Sequence, residues 1–314
     1  MPDEPSVAPL PADQPDGLPV PSPFPPAGLV LVSTPIGNLG DITIRARAAL
    51  AAADLVLCED TRHTARLLAA LGVSARTQAL HEHNEDAAIP ALLARLAQGQ
   101  RVALVSDAGT PLLSDPGFRL TRAAIAAGAA VTAIPGANAA LTALVLSGLP
   151  PLPVLVLGFP PARAAARRAE FGRLRAAERA GLAATLIWHE APHRLGEMLG
   201  DLAAVFGDRP AAVARELTKR FEEVRRAGLL ALAAGYAQAV VRGEITVVVG
   251  PAPPEQADAE ELDVRLRAAL AGNSVKDAAA LVATATGLPR RVVYARALAI
   301  AEEGGGAGVD TVRD

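Results

Sequence analysis

The segment Val102–Gly117 reads Val-Ala-Leu-Val-Ser-Asp-Ala-Gly-Thr-Pro-Leu-Leu-Ser-Asp-Pro-Gly. It joins a short apolar run to a stretch broken by Gly, Pro, Asp and Ser, a punctuation no amphipathic helix tolerates. The run suits a parallel strand buried on both faces, and open α/β sheets hold ligands in the crevice at the carboxyl ends of such strands. The arrangement recurs at Leu29–Ser33, which runs into Thr34-Pro-Ile-Gly-Asn-Leu-Gly-Asp41. There Pro35 fixes φ, while Gly37 and Gly40 permit positive φ or close approach to a ligand. It recurs again at Val131–Ile134, which runs into Pro135-Gly-Ala-Asn138 and a small-residue helix, Ala139–Ser147. Three strand-to-loop junctions in one half of the chain imply one shared crevice.

At 314 residues and 51% hydrophobic content, the chain exceeds a usual single domain and can bury more than one core. A formal charge of -3 removes the simplest nucleic-acid argument but leaves room for a local Arg patch. The lone Cys58 excludes an internal disulfide framework and fits a reducing, cytoplasmic setting. Lying in an apolar run ahead of Glu59-Asp60, it reads as a core residue rather than a nucleophile. Residues 123–162 carry no charge, yet Gly128, Pro135, Pro150, Pro151, Pro153 and Gly158 divide them into strand, loop and helix, against a membrane span. Residues 1–27 are acidic and Pro-rich, without a signal-peptide pattern, and read as a disordered extension. All but two of the 30 basic residues are Arg, so Lys219 and Lys276 stand out.

The pattern predicts an N-terminal α/β domain over 28–150, with helices at 42–52, 61–71 and 89–98 and a strand at 55–58. The corner Glu59-Asp-Thr-Arg-His63 reads equally as part of a site or as a helix N-terminus. A second α/β domain spans 151–250. It has strands at 154–157, 184–188, 211–215 and 243–249, and a helix at 195–205. The Arg run of 163, 167, 168, 173, 175 and 179 reads first as a solvated helix face and second as a phosphate contact. His189-Glu-Ala-Pro-His-Arg194 and Glu216-Leu-Thr-Lys219 follow strand ends. A linker at 251–261, a helical module at 262–302 and a Gly-rich tail at 303–314 complete the chain.

Thr34–Ile42, Glu59–Arg62, Ser106–Pro111, Ser114–Gly117, Pro135–Asn138, Ser147–Leu149, Pro192–Arg194 and Glu216–Lys219 together resemble the ribosomal RNA small subunit methyltransferase I family, within the tetrapyrrole-methylase-like superfamily. Each block alone is weak, and their order over residues 28–300 is specific. The resemblance implies a two-domain α/β fold with a cofactor cleft between the domains and a small C-terminal helical module. It also implies a homodimer, and S-adenosylmethionine-dependent 2′-O-methylation of a cytidine in the decoding region of 16S rRNA, as RNA or within the small subunit. Pro35, Gly37, Asn38, Asp107, Gly109, Thr110, Pro111, Gly136, Ala137, Asn138 and Ala139 then contact the cofactor. Departures from the family are the N-terminal extension, Trp188-His189 in place of the usual aromatic pair, and the Gly-rich end.

A ribose hydroxyl is a poor nucleophile and needs a base or a nearby cation. Lys219, tuned by Glu59 or Glu216, is the candidate, against the alternative of a structural ion pair with Glu216 or Glu222. Arg62, His193 and Arg194 are candidates for RNA contact, since Arg forks match phosphate oxygens, against structural bonding at helix starts. The five His lack the ligand frame of a metal site, so none is expected. Methylation of a small tetrapyrrole, or a silent RNA-binding assembly role, are the rival readings.

Overall fold

The apolar runs of the first half assemble into one parallel sheet. The computed structural model describes residues 27–253, 259–286 and 288–305. Its first part alternates β1 (Gly28–Val32), α1 (Ile44–Ala52), β2 (Leu55–Cys58), α2 (Thr61–Ala70), β3 (Thr77–Ala79), α3 (Glu85–Ala97), β4 (Arg101–Val105), α4 (Phe118–Ala126), β5 (Val131–Ile134) and α5 (Ala139–Ser147). The strand order is β3-β2-β4-β1-β5, with every pair parallel. Alternate residues point to opposite faces, and both faces are covered. Val30, Val32, Val56 and Cys58 pack with Ala49 and Leu50 of α1 on one side. Leu29, Leu55, Leu57 and Leu104 pack with Leu92 of α3 and Leu120 of α4 on the other. Cys58 is fully buried, which pushes its thiol pKa up, as suits a core residue. Because β1 lies between β4 and β5, the three junction loops emerge side by side.

Helix α3 starts at Glu85 rather than Ile89. The buried Glu85 carboxylate accepts from Leu120 N at 2.8 Å and pairs with Arg119 at 3.3 Å, so α4 holds a turn that local sequence does not specify. The three-residue β3 was not expected; it is short and only half-buried.

The second part contains β6 (Val154–Val156), α6 (Ala164–Arg179), β7 (Thr185–Glu190), α7 (Leu195–Phe206), β8 (Pro210–Arg215), β9 (Glu223–Gly228), α8 (Leu229–Tyr236) and β10 (Ile245–Val249). Its sheet runs β6-β7-β10-β8-β9 and only the β6–β7 pair is parallel. Strand β9 was unforeseen because an edge strand needs no apolar run. Strand β7 continues through His189 and Glu190, which pair with Thr246 and Ile245. Trp188 is fully buried against Phe171 and Phe206, with ring centroids 5.3 and 6.3 Å away. The Arg run is not simply a solvated or phosphate-facing surface. Arg167 is 1% exposed and its Nε donates to Asp201 at 2.7 Å, while Arg168 reaches the same carboxylate at 3.2 Å.

Helix α5 follows the first sheet but packs on the second. Ala140, Ala143 and Leu144 meet Ile187, Ala212, Ala214 and Val248, joined by Ile36 from the loop after β1. Both sheets therefore belong to one compact unit, which ends at Gly250. The other unit comprises 178–183 and the residues from 251 onward. It contains α9 (Ala259–Leu270), α10 (Val275–Thr286) and α11 (Arg290–Gly305) around Leu266, Ala279, Val293 and Ala297. Helix α9 begins inside the stretch expected as linker, and α11 runs through residues 303–305, expected as tail. The remainder of that tail and residues 1–26 of the expected N-terminal extension lie outside the described residues. Among the described residues, no helix is long and apolar enough to cross a membrane.

Candidate functional site

Beyond the ends of the parallel strands β1 and β4, an isolated antiparallel bridge ties the two loops: Thr34 N donates to Gly109 O at 2.8 Å and Gly109 N returns to Thr34 O at 3.1 Å. Thr110 Oγ1 donates to Ala137 O at 3.3 Å, and Asn138 Nδ2 donates to Thr110 Oγ1 at 3.3 Å. Asn138 also caps α5, its Oδ1 accepting from Leu141 N at 3.0 Å. Gly136 is needed for close approach, since a Cβ there would stand 2.8 Å from Ser33 Cβ. The three junction loops are thus tied into one rim.

Between this rim and the second sheet lies a cleft of about 550 Å³, whose lining includes Thr110, Asp115, Asn138, His189 and Glu244. Asp115 lies in a loop where Leu112 and Ser114 both adopt left-handed backbone (φ 73° and 74°), strain of the kind functional loops carry. Its carboxyl makes no hydrogen bond or ion pair with a described residue. Burial first, then the charges of Glu59 and Asp107, push its pKa up to about 6. His189 Nδ1 is 3.2 Å from Thr246 Oγ1, and burial lowers the ring's pKa against the opposing pull of Glu244.

A second hollow of about 450 Å³ is lined by Pro35, Gly37, His63, Arg66, Asp107 and Lys219, among others. Lys219 Nζ lies 2.9 Å from Glu216 Oε1 and 3.1 Å from Glu244 Oε2. Burial pushes the Lys219 pKa down, but bonding to Glu216 and Glu244 outweighs it and leaves the ammonium above its ordinary value. A Cβ on Gly37 would stand 2.4 Å from Lys219 Cγ, so only glycine lets the lysine cross there. Glu216 and Thr218 are themselves left-handed (φ 52° and 66°). Ile36, Ala108 and Glu244 line both hollows.

Of the residues expected at a cofactor, Gly109, Thr110, Asn138 and Ala139 line the cleft, while Pro35, Gly37 and Asp107 line the second hollow. Pro111, Gly136 and Ala137 line neither. Nor does Asn38, whose side chain accepts from Gly40 N at 2.9 Å to hold a short turn. Lys219 and Glu216 are brought together, in the ion pair that was the structural alternative. Glu59 is exposed and lines neither hollow; its link to the site is its charge effect on Asp115. Glu222 instead accepts from Thr218 N at 2.6 Å. Arg62 is exposed and paired with Asp60 at 3.2 Å. His193 is exposed, and Arg194 is held by Glu190 at 2.9 Å and by Pro160 O at 2.8 Å.

Sequence reasoning missed Asp115, Arg66 and Glu244. Arg66 stands one turn after Arg62 on α2. Glu244 precedes β10, which runs antiparallel to β7 and β8, so its amino end reaches the cleft; a search of carboxyl ends passes it by.

The tetrapyrrole (corrin/porphyrin) methylase family matches residues 28–233, and the RsmI C-terminal HTH domain matches 256–301. The ribosomal RNA small subunit methyltransferase I of Micromonospora olivasterospora is 48% identical over 284 residues, covering 89% of each chain. That of Escherichia coli O157:H7 is 43% identical over 274 residues, covering 86% of this chain and 94% of its own. Among solved structures, the methyltransferase CobJ aligns with a TM-score of 0.53 at 21% identity over 72% of this chain and 95% of its own. Diphthine synthase aligns at 0.52 and 17% over 71% and 89%, and both likenesses concern the fold. The chain belongs to the tetrapyrrole (corrin/porphyrin) methylase family and, within it, to the ribosomal RNA small subunit methyltransferases I.

Proposed function

We propose that this protein transfers the methyl group of S-adenosylmethionine to 16S rRNA, at the ribose 2′-hydroxyl of a cytidine in the decoding region. The observation that carries the reading is a pair of hollows meeting at Ile36, Ala108 and Glu244, one rimmed by glycine-rich loops and the other presenting Lys219. S-adenosylmethionine supplies a methyl group made electrophilic by its sulfonium. The cleft fits such a donor: Thr110 and Asn138 offer polar contacts at its edge, and the unpaired Asp115 complements positive charge. Holding two substrates in line is worth about 7 kcal/mol or more of the barrier, a task suited to the tied rim. We read 28–150 and 151–250 as two domains sharing this cleft.

Lys219 is held charged by Glu216 and Glu244, so its part is to stabilise the developing alkoxide rather than to accept a proton. Arg66 and His63 in the same hollow, with Arg62 and His193 outside it, are suited to phosphate and ribose contacts. We read the protein as a cytoplasmic homodimer; Leu141 and Val145 on successive turns of α5, 53% and 75% exposed, support self-association.

The test is transfer of labelled methyl from S-adenosylmethionine to small ribosomal subunits lacking the modification, with nuclease mapping of the product. Label on a cytidine 2′-oxygen is expected. Donor binding without RNA labelling would turn the reading to a small-molecule substrate, and absence of donor binding in calorimetry would overturn it.

A further inference from the structure

We infer that Glu244 is the group that takes the proton from the attacking hydroxyl. The inference rests on the methyl-transfer reading and names the base of that same site. A methyl group passing from a donor in the cleft to a nucleophile in the second hollow must cross their shared wall. That wall consists of Ile36, Ala108 and Glu244, and only the last has an atom that accepts a proton. The competing carboxylates are placed less well. Asp107 lines only the second hollow and Asp115 only the cleft. Glu216 lines neither, and its Oε1 already accepts from Lys219 at 2.9 Å and from Glu244 N at 3.0 Å.

Glu244 has one oxygen fixed and one open. Oε2 meets Lys219 Nζ at 3.1 Å, whereas Oε1 accepts from no described residue. The side chain is 71% exposed, accessible to a bulky RNA substrate. Its backbone is anchored on both sides: Glu216 N donates to Glu244 O at 2.9 Å, and Glu244 N donates to Glu216 Oε1. Lys219 is unsuited to the task because its own bonds keep it protonated. In the step, the ribose O2′–methyl bond forms as the sulfur–methyl bond breaks. The sulfonium becomes a neutral thioether, and the O2′ proton passes to Glu244, which becomes a neutral carboxylic acid. Charge and atoms balance without a further reactant.

The experiment compares wild type, Glu244→Gln and Glu244→Ala in single-turnover methylation of unmodified small subunits. It is paired with calorimetric affinity for S-adenosylmethionine and filter-binding affinity for the subunit. A positioned base contributes roughly 10²–10⁴-fold, so Glu244→Gln is expected to slow transfer about 100-fold or more, with both affinities within about threefold of wild type. Added formate, acetate and more basic carboxylates are expected to rescue Glu244→Ala increasingly with their basicity, which mere ion pairing to Lys219 does not demand. A Glu244→Gln rate within about threefold of wild type, or rescue indifferent to basicity, overturns the assignment. Wild type that binds no donor and labels no subunit overturns the methyl-transfer reading, and this one with it.

Discussion

Lys219 and Gly37 lie far apart in sequence and share one point in space. Lys219→Ala removes the ammonium facing the second hollow, and loss of one such stabilising group costs roughly 10²–10³-fold in turnover, with donor affinity retained. Gly37→Ala inserts a methyl group where the lysine stem passes, so it is expected to reproduce much of that loss without touching Lys219. Methylation kinetics beside donor calorimetry check both. The Asp115 carboxyl is predicted to cost stability at neutral pH. Its folded pKa of about 6 lies above the ordinary 3.8, so folding favours the proton. The favourable contribution is complete below the lower value and lost as pH rises through the higher one. Asp115→Asn is therefore expected to exceed wild type in urea midpoint at about pH 8 and to lose that advantage by about pH 4. The rarity of Lys219 made it visible in the sequence. Asp115 was not, because its burial and its neighbours Glu59 and Asp107 come from separate segments.

Among the elements, α5 joins the two sheets and the rim of junction loops, and Asn138 starts it. Asn138→Ala removes an N-cap and the bond to Thr110, so a stability loss of about 1 kcal/mol and weaker donor binding are expected together. Chemical unfolding and calorimetry measure the two effects. Strands β1, β2 and β4 were legible because buried strands leave continuous apolar runs, and the half-buried β5 and α5 because Gly, Pro and Asn punctuate the chain around them. Strand β9 and the first turn of α3 were not. The first is an exposed edge, and the second depends on Glu85 bonding across to α4. Arg167 shows the same limit: its sequence neighbours suggested solvent, and Asp201 on another helix buries it.

The whole molecule holds two compact units, each with its own apolar core. Leu266, fully buried in the helical unit, is expected on change to Ala to lower that unit's stability by roughly 2–5 kcal/mol. Donor affinity, which the proposed site assigns to the α/β unit, is expected to stay unchanged; calorimetric melting with donor titration checks the pair. By itself the sequence determined the parallel sheet and the three junction loops, because burial periodicity and turn chemistry are local properties, and the ordered motif blocks carried the resemblance to the family. The tertiary structure alone decided that Lys219 is held charged between Glu216 and Glu244, and that Glu244 borders both hollows. These facts follow from the antiparallel reversal of β10 and from α5 packing on the second sheet. Such long-range packing sets which side chains meet, and no local spacing records it.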